Sequence, residues 1–158
     1  MDVWKLWPRC PREIGFGPQS GELSIHTSDL RLTLIFRMYP EKETYGAWPR
    51  SGEIDIALAR GNDAASYNNG RDTVSSALHW GTSVDQDQSS RTSGKLTLRR
   101  QDLSVGFHTY GIEWSETHLF TWIDDRVYQM ISTGFGPSWG GNMYQRGGFP
   151  DMWSNGQL

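Results

Sequence analysis

Two carboxylates sit two residues apart in the stretch Gly52-Glu53-Ile54-Asp55-Ile56. Side chains alternate along an extended strand, so Glu53 and Asp55 point to one face, their backbones roughly 7 Å apart, while Ile54 and Ile56 point to the other. Like charges that close repel, and each favours the other's protonation. Such a pair suits either a solvent-facing strand or a carboxylate cluster in a sugar cleft, and the residues alone leave both open. Trp48 and Arg60 flank the acids. Either could contact a substrate, and Arg60 could equally neutralise the pair. His79-Trp80 closes a second apolar run. The four histidines, His26, His79, His108 and His118, show no metal-ligand spacing, so no metal and no cofactor are expected. There is no Gly-rich phosphate loop and no Gly-x-Ser-x-Gly elbow.

The elements that must position these residues read as strands. Helical periodicity is almost absent, and short apolar or alternating runs recur between Gly, Pro, Asn, Asp and Ser, the pattern of an all-β sandwich or barrel. Strands are predicted over 30–38, 52–59, 73–80, 95–99 and 107–114. Residues 119–123 and 126–131 form the clearest hairpin, turning through Asp124-Asp125. Trp114 and Trp122 are expected in the core. The loop 81–94 is polar, rich in Ser, Asp and Gln, and is expected to be mobile. Residues 1–29 read as an irregular leader, with three prolines and three glycines between Pro8 and Gly21. Residues 30–158 then form the domain.

The chain has 158 residues, enough for one domain with a real core. Fifteen basic residues against 18 acidic ones give a net charge of −3, without the basic stripe a nucleic-acid partner would need. Cys10 is the only cysteine, so no intrachain disulfide can form. No run of residues is apolar enough for a membrane span or for the core of a signal peptide. Eight tryptophans and 18 glycines supply flat aromatic surfaces on a chain that turns often. An indole suits the C–H-rich face of a sugar, although the default place of a tryptophan is the framework.

The wording around the acid pair resembles a known family. Tyr45-Gly-Ala-Trp-Pro-Arg-Ser-Gly-Glu-Ile-Asp-Ile, followed by Ala59-Arg-Gly-Asn62, is similar to the catalytic segment of glycoside hydrolase family 16, in its laminarinase and β-1,3-glucan-recognition branch. Val74-Ser-Ser-Ala-Leu-His-Trp-Gly81, Gly106-Phe-His-Thr-Tyr-Gly-Ile-Glu-Trp114, the hairpin 118–129 and Arg146-Gly-Gly-Phe-Pro150 resemble later segments in the same order. The resemblance implies a jelly-roll sandwich of two antiparallel sheets, a β-glucan polysaccharide or oligosaccharide as partner, and an extracellular setting. It also implies a retaining mechanism on a strand-borne Glu-x-Asp-x-x-Glu. Glu53 would be the nucleophile and Asp55 its helper, and His79-Trp80, where the family strand enters the cleft, would contact sugar.

The pattern breaks at its third member. The proton-donating position carries Leu58, and its three-residue offset from Asp55 requires a β-bulge if it is to face the cleft. Leucine donates no proton. The family's Trp-rich strand before the motif is also replaced, here by Leu32-Thr-Leu-Ile-Phe-Arg-Met-Tyr-Pro40. The sandwich is expected to be incomplete at both ends. The sequence therefore carries two functional expectations, a β-glucan hydrolase lacking its acid and a non-catalytic β-1,3-glucan-binding protein, beside the possibility of a non-functional fragment.

Overall fold

A computed structural model describes residues 4–9, 15–16, 23–26, 33–63, 66, 68–114 and 118–132. Ten strands follow one another: β1 (Trp4–Arg9), β2 (Gly15–Phe16), β3 (Leu23–His26), β4 (Thr33–Pro40), β5 (Glu53–Arg60), β6 (Thr73–His79), β7 (Ser93–Thr97), β8 (Phe107–Trp114), β9 (His118–Ile123) and β10 (Arg126–Ser132). They form two five-stranded antiparallel sheets, in the orders β1-β4-β5-β6-β7 and β10-β9-β8-β3-β2. This is the expected all-β sandwich. The segment 1–29, expected as an irregular leader, instead contributes a strand to the first sheet and two to the second. β1 pairs with β4, with Trp4 opposite Pro40, and β3 pairs with β8. The prolines punctuate these strands without preventing them, because β1 lies at a sheet edge where a missing N–H is tolerated. The Arg146–Pro150 loop lies outside the described residues.

The core fills the space between the sheets. Leu34, Phe36, Ile54, Ala59, Val74 and Leu78 come from the first, and Tyr110, Leu119 and Ile123 from the second. Alternation explains most of this selection, since every second residue of β6 is buried. The remainder depends on two bulges. In β5, Asp55 pairs with Ala77 and Leu58 with Ser75, so Ile56 and Ala57 together face one partner position. Both are buried. In β10 the register shifts between Val127 and Gln129, and Tyr128 and Gln129 both turn inward.

The two irregularities meet across the core. Tyr128 donates its hydroxyl proton to the carbonyl of Ile56 at 2.5 Å. Ser76, opposite the β5 bulge, donates to the Asp55 carbonyl at 2.7 Å and also contacts Oε1 of Gln129. Gln129 in turn donates to the Thr92 carbonyl at 2.5 Å. Backbone groups that a bulge takes out of the ladder thus find partners from side chains.

Two tryptophans fall on opposite sides of the second sheet. Trp114 packs on the core as expected. Trp122 does not: Leu119, Thr121 and Ile123 hold the inward positions of β9, so Trp122 takes the outer face. There it lies on Gly111, where an added Cβ would stand 2.2 Å from the indole.

Tyr128→Phe should lower the unfolding free energy by about 1–3 kcal/mol, the usual cost of stranding a buried acceptor. Urea denaturation measures it, and an unchanged midpoint would show that the bulge does not depend on this bond.

Candidate functional site

β5 is the middle strand of its sheet, so residues on its outer face have neighbours on both sides. Glu53 is opposite His79 and Asp55 opposite Ala77 on β6, and Arg37 on β4 is opposite Asp55. Plain alternation would have carried position 58 into the core. The Ile56-Ala57 bulge reverses the phase, and Leu58, paired with Ser75, shares the outer face with both acids.

Glu53 is only 4% exposed, and both its oxygens are engaged. The indole N–H of Trp48 donates to Oε2 at 2.5 Å, and Arg37 donates to Oε1 at 3.0 Å. The Arg37 guanidinium also lies 4.7 Å from the centre of the Tyr39 ring. Trp48 owes its place to a stapled loop. Ser51 accepts from the Tyr45 N–H at 3.1 Å and donates to the Gly46 carbonyl at 2.7 Å, while Glu43 accepts from the Trp48 backbone at 3.3 Å. Beside this cluster opens a cavity of about 360 Å³, lined by Arg37, Tyr39, Glu43, Trp48 and Glu53 among others.

His79 stands between two carboxylates. Nε2 lies 3.3 Å from Asp55 and Nδ1 2.8 Å from Asp87. Its ring packs on Trp48 with centroids 5.4 Å apart. Burial disfavours a charge on the imidazole, but the two carboxylates outweigh it and raise the pKa to about 9. Burial and the charge of Asp55 push Glu53 above the ordinary carboxylate range, opposed by His79, the Trp48 N–H and Arg37. Burial would likewise raise Asp87, yet hydrogen bonds from Ser89 and His79 prevail and lower it.

Glu53, Asp55 and His79 each bring one potential ligand atom within 4.8 Å of the others. A cation there would have to displace the proton on His79 and compete with Arg37 for Glu53. The three side chains are already matched to one another and to Arg37, and among the described residues no other such group occurs.

Of the residues expected from sequence, Glu53, Asp55, Trp48 and His79 come together. Trp80 does not: it is 3% exposed, in the core, and its N–H donates to Thr92 at 3.1 Å. Strand alternation forbids His79 and Trp80 from sharing a face, so only one of them could have faced the cleft. Arg60 ends β5, exposed and opposite Thr33, roughly 20 Å along the strand from Glu53. The neutralising role considered for it belongs to Arg37. Arg37, Tyr39 and Asp87 were not singled out from sequence. The first two were legible, because Leu34 and Phe36 as core residues put Arg37 and Tyr39 on the opposite face of β4. Asp87 was not, since nothing local ties a loop acid to a histidine eight residues earlier.

Comparison with known proteins accords with this arrangement. Residues 36–136 match the sequence model of glycosyl hydrolases family 16. Over 97 residues the chain is 36% identical to a glucan endo-1,3-beta-glucosidase of Cryptopygus antarcticus, covering 61% of this chain and 33% of that protein. It is 29% identical over 97 residues to a beta-1,3-glucan-binding protein of Penaeus monodon, covering 61% of this chain and 26% of that one. The chain thus spans a third or less of the length of these relatives. A family 16 endo-glucanase from Bacteroides ovatus superposes with a TM-score of 0.55 over 89% of this chain and 77% of that one, at 17% identity, which establishes a shared fold. The chain belongs to glycosyl hydrolases family 16.

Proposed function

We propose that the outer face of the β4–β6 sheet binds β-glucan and keeps the nucleophilic half of a retaining glycosidase without its proton-donating half. The observation that carries this reading is the bulge at Ile56-Ala57, which puts Leu58 on the same face as Glu53 and Asp55. A retaining mechanism needs two carboxyl groups about 5–5.5 Å apart, one to attack the anomeric carbon and one to protonate the departing oxygen. Glu53 is the attacking group. Arg37, Trp48 and His79 favour its ionised form against burial and the charge of Asp55. Leu58 offers no proton to the leaving group, and losing general acid catalysis typically slows such a step by about 10²–10⁴-fold.

The same substitution favours a second reading, recognition without turnover, and similarity to a beta-1,3-glucan-binding protein supports it. Both readings share the ligand. Both also place the protein outside the cell, where a structural polysaccharide is met.

Unactivated laminarin should be cleaved slowly or not at all. A dinitrophenyl β-glucoside, whose leaving group needs little protonation, should react at Glu53, and added azide should yield the β-glycosyl azide by two successive inversions. Leu58→Glu should restore hydrolysis of laminarin, and Glu53→Gln should abolish all reaction. A folded Leu58→Glu protein that stays inert, with no labelling of Glu53 by the activated glucoside, would defeat the hydrolase reading and leave recognition.

The pH–rate profile of the activated substrate offers a separate check. Attack requires ionised Glu53, so the rate should rise with pH along an acid limb displaced above the usual carboxylate range. Trp48→Phe removes a donor to the ionised form and should move that limb to still higher pH; an unmoved limb would mean that the indole bond does not tune Glu53. In binding, laminarin oligosaccharides should quench tryptophan fluorescence. Trp48→Ala should weaken affinity by about 1–3 kcal/mol if the indole stacks on sugar. Equal affinities would remove Trp48 from the ligand's path.

A further inference from the structure

The loop between β6 and β7, expected from its composition to be mobile, is built as two short 3₁₀ turns, Val84–Gln86 and Ser89–Arg91, clamped onto the sheet. The Gln88 N–H donates to the Trp80 carbonyl at 2.8 Å. At Gly81 the loop returns so closely that a Cβ would stand 2.2 Å from the Gln86 carbonyl oxygen. Between the turns, Asp87 is held by Ser89, whose hydroxyl donates to Oδ2 at 2.7 Å and whose backbone N–H donates to Oδ1 at 3.2 Å. The Asp87 carboxylate meets Nδ1 of His79, and the opposite nitrogen of the ring meets Asp55.

A neutral imidazole has one N–H and could donate to only one of these carboxylates. Two acceptors on opposite nitrogens require both to carry protons. The ring's orientation is then fixed at both ends, and its face supports Trp48, which donates to Glu53. Asp55 has no other described hydrogen-bond donor on its side-chain oxygens, since Oδ1 is buried without one. The charged and titratable groups around His79 are Asp55 and Glu53 from β5, Asp87 from the loop, and Arg37 and Tyr39 from β4 beyond Glu53. Asp85 of the same loop is exposed.

We propose that Asp87 is a positioning residue for the Glu53–Asp55 pair, acting through His79 by fixing the imidazole in the orientation and doubly protonated form that Asp55 and Trp48 require. As a statement about catalysis this rests on Glu53 being the nucleophile. As a statement about His79 it stands by itself.

The test is the ¹H–¹⁵N imidazole spectrum of the full chain against pH, for wild type, Asp87→Asn, Asp87→Glu and Ser89→Ala, with His79→Gln to assign the signal. In wild type both ring nitrogens of His79 should be protonated at pH 7, with a midpoint near 9. Asp87→Asn should move the midpoint down by at least about one unit toward the ordinary imidazole value, Asp87→Glu should recover most of the shift, and Ser89→Ala should move it slightly in the same direction. In parallel, kcat for the dinitrophenyl glucoside should fall by up to about 10²-fold in Asp87→Asn with KM little changed. A wild-type His79 that is neutral at pH 7, or one whose midpoint Asp87→Asn leaves in place, would overturn the proposal. Should Asp87→Asn fail to fold, the wild-type midpoint and Ser89→Ala decide. If even wild type never reacts with the activated glucoside, the functional reading fails while the imidazole spectrum still decides the role of Asp87.

Discussion

Two extra residues, one in each sheet, meet across the core, and the site depends on their meeting. A regular β5 would present Glu53, Asp55 and Ala57 outward and bury Leu58. With the bulge, Ile56 and Ala57 both turn inward and the face resumes one residue later. That exchange leaves backbone groups out of the ladder. Tyr128 and Ser76 supply the missing partners, and Tyr128 reaches them only because β10 is itself bulged. A one-residue slip in either strand would invert every side chain beyond it.

Charge is the second constraint. Glu53 is nearly buried, Asp55 half-buried beside it, and Asp87 approaches from the loop. Three acids face two cationic side chains, Arg37 and His79. Cations paired with buried carboxylates offset a desolvation penalty of several kcal/mol per ion. His79 accordingly holds its proton far above the usual imidazole range. Arg37, His79 and the Trp48 N–H favour an ionised, hydrogen-bonded Glu53 against burial and the charge of Asp55, and Leu58 brings no carboxyl to the same face. It suits a glucan-binding surface as well as a nucleophile, and a carboxyl at position 58 is what distinguishes them chemically.

Much of this was legible in the sequence because strand periodicity is strict. The strands β4 to β10 follow from short apolar or alternating runs, with ends that coincide or shift by at most three residues. The bulge followed from the spacing of the resembled motif, since no residue between Asp55 and Leu58 announces it. Three strands within the first 29 residues escaped notice because β1 pairs with β4 about 30 residues on, β3 with β8 more than 80 residues on, and β2 only with β3, while their own sequence is broken by proline and glycine. Trp80 was misplaced by reading two adjacent residues as one contact. Asp87 was invisible, because loop composition carries no record of which side chain a folded turn will meet.

The central claim is geometric: position 58 faces the same cleft as Glu53. A crystal structure of Leu58→Glu measures it without reference to any activity. The bulge predicts a separation of about 5–5.5 Å between the carboxyl group at position 58 and that of Glu53, the spacing of a retaining pair. A position-58 side chain turned into the core between the sheets, or a separation beyond about 9.5 Å, would contradict the account.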